Sequence, residues 1–258
     1  MKHYIAEKWR DILVFNNLDT SDKIWALKAD WFEEPNHRRG GWSGVSRIEL
    51  KLPLGGTVGI FLKRQENHVS RSLCHPFKGR ATFAREYDVI TAFKQHHVPS
   101  LEAVFFGHWQ EHGHQRAVLM TEELAAYSPL SSPAYQNGGT FFSTVQQKKQ
   151  LFVKLAELMR SMHRHKFQHN CFYPKHVFAH SLDNGEVELR VIDLEKVKQL
   201  FSRKRAQFRD LSTFLRHSHG WTFEDKQAFF SVYCGEEELS GASQRLWDKL
   251  CADMNKKK

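Results

Sequence analysis

Three residues far apart in the chain, Lys63, Glu86 and Asp193, are of the types phosphoryl transfer needs. That chemistry calls for a cation on the phosphates, an acid to hold the cation, and a carboxylate for a metal ion. Lys63 sits inside the apolar run IFLKRQ, where an ammonium costs free energy unless an anion meets it. Glu86, in the segment that follows, is its natural partner. The plainer reading is a lysine snorkelling from a half-exposed strand. Asp193 ends the apolar run LRVID, and a carboxylate leaving such a strand suits magnesium, although it could equally be a strand-ending cap. Glu195, close behind, either assists it or faces solvent. Upstream, RRGGWSGVS offers Gly40, Gly41 and Gly44 with Ser43 and Ser46 immediately before a strand. Glycines let backbone amides approach a phosphate, but many hairpin entries are glycine-rich without binding anything.

The segment FQHNCFYPKHVFA, residues 167–179, has the spacing of a phosphotransfer loop. His169 opens it, Pro174 sits in the middle, and His176 comes five positions after Cys171, which stands where the base aspartate is expected. Shifting by one residue offers Asn170, which is no base either. A neutral thiol does not accept a hydroxyl proton as a carboxylate does, a loss on the order of 10²–10⁴-fold in rate. His169, His176 or a lysine-stabilised Cys171 thiolate are the candidate substitutes, against a buried, inert thiol. A zinc site from His169, Cys171 and His176 matches no common ligand spacing. Tyr173 and Lys175 either contact an anionic substrate or face solvent.

The elements that must position these residues follow from periodicity. Residues 1–36 read as a helical start and a connector, with FEEPN as a turn. SGVSRIELKL and GTVGIFLKRQ alternate Ile48, Leu50, Leu52 and Val58, Ile60, Leu62, predicting two strands joined by PLGG. ATFAREYDVITAFKQ predicts a helix behind a Thr82 N-cap, and LEAVFFGHWQ and RAVLMTEEL predict two further strands around EHGHQ. The order so far is β-β-α-β-β. SPLSSPAYQNGG reads as an interlobe linker, after which Leu151, Leu155, Leu158, Met159 and Met162 mark a long amphipathic helix. HVFAHSL and EVELRVID are short strands around an Asp183-Asn184-Gly185 turn. QFRDLSTFLRHS and TFEDKQAFFSVY are helical, the second with Thr222 and Asp225 as a capping box.

The 258 residues are 41% hydrophobic and 26% charged, as in soluble globular proteins. No apolar run reaches the roughly 18 residues of a membrane span, and the N-terminal residues lack a signal-peptide core, so a cytoplasmic location is expected. Four scattered cysteines (74, 171, 234, 251) form no CxxC pair and read as reduced thiols. The net charge of +9 suggests an anionic partner. Its clusters at Arg38-Arg39, Arg203–Arg205 and the lysine tail belong to no zinc finger or RNP motif, so no specific nucleic-acid readout is expected.

Taken in order, RRGGWSGVSRIEL, FLKRQ, FAREYDVI, LMTEEL, HNCFYPKHVF and VIDLEKV resemble the Kdo/WaaP lipopolysaccharide core kinase family in its InaA-like branch, over roughly residues 35–235. The resemblance implies an α+β, two-lobed protein-kinase-like fold. Residues 1–124 would form an N-terminal lobe with an antiparallel sheet and the helix bearing Glu86, and 125–258 a mainly helical lobe. It implies ATP and magnesium as cofactors and a Kdo or heptose hydroxyl of the inner core, or of a related anionic glycolipid, as acceptor. It places Gly40, Gly41, Ser43 and Gly44 at the phosphates, with Lys63 paired to Glu86. Glu122 and Leu124, in the MTEEL hinge, lie beside adenine. His169 opens the catalytic loop, His176 stands where protein kinases place a magnesium-binding asparagine, and Asp193 is the main metal carboxylate. Asp210 ties the following helix to the loop. Peripheral association with the cytoplasmic face of the inner membrane would bring such an enzyme to its glycolipid. Because Cys171 departs from the pattern, the alternative is a pseudokinase acting as a nucleotide-binding regulatory or scaffolding module.

Overall fold

The computed structural model describes residues 2–38, 40–72, 75–182 and 185–256. The chain divides into two compact units, Met1–Thr91 with Leu101–Ala125, and Ala92–Ser100 with Ala126–Lys258.

In the first unit the elements run β1 (Lys2–Ile5), α1 (Arg10–Phe15), α2 (Ser21–Ala26), β2 (Glu33–Asn36), β3 (Trp42–Lys51), β4 (Thr57–Glu66), β5 (Val69–Ser72), β6 (His75–Ala81), α3 (Thr82–Gln95), β7 (Ala103–Glu111) and β8 (His114–Glu122). One antiparallel sheet takes the order β1-β7-β8-β4-β3-β2. Alternation along β4 divides its side chains between the two faces. Ile60 and Leu62 enter a core with Trp9, Leu13, Ile24, Val118 and Met120, which brings α1 and α2 onto that face. On the opposite face Lys63 and Gln65 serve α3. Gln65 Oε1 accepts from the Phe83 N–H at 2.7 Å and from Thr82 Oγ1 at 2.9 Å, so a side chain of β4 caps the helix. Thr82 is therefore the first helical residue, not the cap.

Two further expectations for residues 1–36 are corrected. Lys2–Ile5 is a strand rather than the start of a helix, because the edge of β7 pairs with it over all four residues. FEEPN is not a simple turn: Glu33–Asn36 pairs with β3 at the opposite edge, where Pro35 needs no ladder partner for its missing N–H. The β5–β6 hairpin was also absent from the β-β-α-β-β order.

The second unit contains β9 (Ser128–Pro129), α4 (Val145–Arg164), β10 (Phe167–Gln168), β11 (Val177–Ser181), β12 (Val187–Val191), β13 (Lys198–Gln199), α5 (Arg203–His217), α6 (Phe223–Cys234) and α7 (Gly241–Met254). Phe142, Phe152, Phe214, Trp221 and Phe229 form the aromatic core on which α4, α5 and α6 meet. Both α4 and α6 start with capping boxes, Thr144–Gln147 and the expected Thr222–Asp225. The SPLSSPAYQNGG segment is not an open linker. β9 pairs with β11, Leu130 and Tyr135 are buried, and the Tyr135 hydroxyl reaches the Ala179 carbonyl. Of the expected turn between β11 and β12, Asp183 and Asn184 lie outside the described residues, as do Arg39, Cys74 and the last two lysines.

Candidate active site

In the first unit Lys63 Nζ lies 2.7 Å from Glu86 Oε1. The lysine side chain is 17% exposed and the glutamate 1%, so the acid is fully inside and the ammonium retains a route to solvent. The pair forms because β4 and α3 share a face and Gln65 fixes where the helix begins.

Gly40 and Gly41 lie in the β2–β3 connection, Gly40 at φ +78°. Gly41 passes so close to the backbone of Glu66 and Asn67 that no side chain fits there. Ser43 and Gly44 are inside β3, opposite Gln65 and Arg64. Gly44 faces the Trp31 ring, which occupies the space a Cβ would need at 2.5 Å. Backbone contact thus demands glycine at 41, while a Cβ at 44 would require the Trp31 ring to shift. At the end of β8 Glu122 is engaged by Lys8, whose Nζ also reaches Glu102. Glu123, which the sequence reading passed over, takes the Nε and Nη2 of Arg47 at 2.8 Å each and fixes the chain leaving the sheet, beside a partly buried Leu124.

The second unit assembles the other residues. Two small ladders clamp two loops against each other. β10 pairs with β13 and β11 with β12, so residues 169–176 and 192–197 are held together at both ends. His169 Nε2 donates to the Ile192 carbonyl at 2.9 Å, and Nδ1 accepts from the Cys171 N–H at 3.3 Å. Both ring nitrogens are occupied. The ring is fully buried, and desolvation holds its pKa below the ordinary imidazole value against the pull of Asp210. His169 is therefore a neutral structural pin and not the substitute base.

His176 differs. Its Nδ1 donates to the Cys171 carbonyl at 2.8 Å and lies 3.4 Å from Asp193 Oδ2, and among the described residues Nε2 has no hydrogen-bond partner. Asp193 adopts the left-handed conformation, φ 58° and ψ 57°, unusual outside glycine and tolerated best by Asp and Asn. Its carboxylate is 37% exposed, so it remains open to a cation. Glu195 lies in the 3₁₀ turn Leu194–Lys196 that follows. Cys171 is buried. Desolvation raises its thiol pKa, outweighing the downward pull of Lys196. Burial thus works against the thiolate alternative. Lys175 is exposed, with Nζ 5.9 Å from the Tyr173 ring.

Asp210 ties α5 to the loop as expected. Its Oδ2 accepts from the His169 N–H at 2.8 Å and its Oδ1 from the Asn170 N–H at 3.2 Å. Behind it His163 Nε2 donates to Oδ2 at 3.3 Å, and the Tyr233 hydroxyl, bonded to Gln207, meets His163 Nδ1 at 2.9 Å. This three-helix brace was missed. The available signal was His163 itself, one turn beyond Met159 on the apolar stripe of α4, where a buried imidazole requires partners.

Magnesium takes one or two carboxylates and completes its shell with phosphate oxygens and water. Asp193 fits that donor set. Among the described residues no group of three or more His, Cys, Asp or Glu side chains forms a metal cage, the zinc triad included.

Residues 22–233 match the lipopolysaccharide kinase (Kdo/WaaP) family, and the chain belongs to that family. It is 30% identical to protein InaA of Escherichia coli (strain K12) over 216 residues, covering 82% of this chain and 95% of that protein. Its fold is similar to that of WaaP solved in complex with acyl carrier protein, with a TM-score of 0.69 at 21% identity, over 98% of this chain and 96% of that one. The expected kinase-like architecture, with an antiparallel N-terminal sheet, is thus the observed one. No helix among the described residues is long and apolar enough to cross a membrane.

Proposed function

We propose that the chain is an ATP- and magnesium-dependent phosphotransferase acting on a Kdo or heptose hydroxyl of the lipopolysaccharide inner core or a related anionic glycolipid. The observation that carries this reading is the Lys63–Glu86 pair. A buried glutamate is a costly way to stabilise a fold, but it suits an ammonium that must meet phosphate oxygens. In this reading Lys63 binds the phosphates, with Gly40, Gly41, Ser43 and Gly44 near them and Glu122 and Leu124 beside the adenine. Asp193 would hold magnesium with His176 adjacent, and a bound ion would supply charge neutralisation at the transferring phosphoryl group. Asp210 and His169 keep the loop in one geometry. Proton acceptance falls to His176 Nε2, the lone pair left uncommitted by the loop. Loose phosphoryl transfer leans on positioning and charge more than on a strong base, so a slower enzyme is consistent with Cys171. The net charge of +9 favours an anionic glycolipid and contact with the cytoplasmic face of the inner membrane.

The second reading, a nucleotide-binding pseudokinase, is favoured by one observation: the residue in the base position is a buried thiol with a raised pKa. Two measurements separate the readings. ATP with magnesium should raise the melting temperature of the native chain, but not of Lys63→Ala or Asp193→Ala. No ATP response in the native chain would reject both. Phosphate transfer to purified core glycolipid supports the enzyme; ATP binding without transfer supports the pseudokinase.

A further inference from the structure

Arg64 follows Lys63 on β4 and therefore points to the other face of the sheet, the one that packs on α1 and α2. The residue is 7% exposed. Nη1 donates to the carbonyls of Leu27 at 2.6 Å and Trp25 at 3.2 Å, and Nε is buried with no hydrogen-bond partner. Among the described residues the guanidinium makes no ion pair, and burial pushes its pKa down with no carboxylate to oppose the shift. A buried cation without a counter-charge is costly, and clamping two carbonyls needs no charge. Elsewhere in the same unit the Nε–Nη2 edge of Arg47 holds the Glu123 carboxylate. On Arg64 this edge has no acid.

The guanidinium lines a cavity of about 550 Å³ formed by the chain leaving α2. Lys28 adds a second cation, Asp30 the one acid of the lining, and Trp25 and Trp31 its aromatic walls. The Trp31 ring lies over the guanidinium at 5.0 Å and is 37% exposed, so a ligand at the buried Nε requires this ring to move aside.

We infer that this cavity is an anion site that binds a phosphate monoester. Arg64 grips the phosphate oxygens with its Nε–Nη2 edge, Lys28 supplies the second positive charge, and the indoles flank whatever ring carries the phosphate. The site is separate from the Lys63–Glu86 pair and does not depend on the phosphotransferase reading.

The test is calorimetric titration of the full chain with inorganic phosphate and with glucose 6-phosphate at fixed ionic strength, together with co-sedimentation on vesicles containing phosphatidic acid, whose headgroup is a phosphate monoester. Saturable binding is expected in the native chain. It should be absent in Arg64→Met and about tenfold weaker in Lys28→Ala, a loss of ~1.4 kcal/mol. Tighter binding of the sugar phosphate than of phosphate identifies a soluble ester. Arg64-dependent binding to vesicles alone identifies a lipid headgroup. The inference is overturned if the native chain binds none of the three probes or if Arg64→Met binds like the native chain. Should Arg64→Met fail to fold, Lys28→Ala and Trp31→Ala decide, since both side chains are exposed; unchanged affinity in both overturns the site.

Discussion

Replacing Lys63 by methionine keeps most of the side-chain volume and removes the only cation paired with Glu86 among the described residues. The glutamate is 1% exposed and has no route to water, so the variant strands a carboxylate inside the first unit. Breaking a buried pair from one side costs about 3–5 kcal/mol. The opposite change, Glu86→Gln, is expected to cost only about 1 kcal/mol, because Lys63 is 17% exposed and can hydrate its ammonium. In the double variant no charge remains buried, and the cost should fall to about 2 kcal/mol, the price of one poorly satisfied amide. The cycle then gives a coupling of about −3 kcal/mol, at the upper end for contacting residues. Urea unfolding at pH 7 without nucleotide measures all four proteins. Equal costs for the two single changes, or additive costs in the double, would refute the claim that Glu86 is trapped and Lys63 is not.

Asp210→Asn should destabilise the second unit by about 2–4 kcal/mol in the same assay, since an amide cannot accept from two loop N–H groups and His163 together. Cys171→Asp should raise phosphate transfer to core glycolipid by about 10²-fold or more if a carboxylate there can accept the hydroxyl proton; a fall would mean the thiol itself has a role. His169 carries a pH signature. Its folded pKa is depressed, so both states are neutral at high pH, and only the unfolded state gains the proton as pH drops below about 6.5. Its stability contribution is therefore lost progressively from pH ~6.5 downward, with a slope of at most about 1.4 kcal/mol per pH unit. A His169→Asn variant should lose that part of the slope in urea titrations at pH 5–7. Cys171 should resist iodoacetamide at pH 7.5 in the folded chain, because burial covers the thiol and raises its pKa; rapid labelling monitored by mass spectrometry would contradict this.

Wherever periodicity ran long enough, the sequence was sufficient. The strand pair around PLGG, the stripe Leu151–Met162 and the capping box at Thr222 rest on local geometry, which a few neighbouring residues dictate. The partnership of Lys63 with Glu86 was legible for the same reason: a charge in an apolar strand and an acid in the next helix leave few other solutions. Asp210 was legible only through the family resemblance.

What tertiary structure decided is what local propensity cannot carry. Lys2–Ile5 and the two-residue strands β10 and β13 have too few residues to show a period, and they exist because an edge or a partner strand was there to pair with. Gly44 stands against the ring of Trp31, thirteen residues earlier, a contact that no local pattern shows. The directions in which the His169 and Cys171 pKa values move were open in the sequence, because a pKa depends on burial and on which groups lie close by. The burial of Arg64 is of the same kind: no sequence pattern shows that a charge has been buried without an ion-pair partner among the described residues.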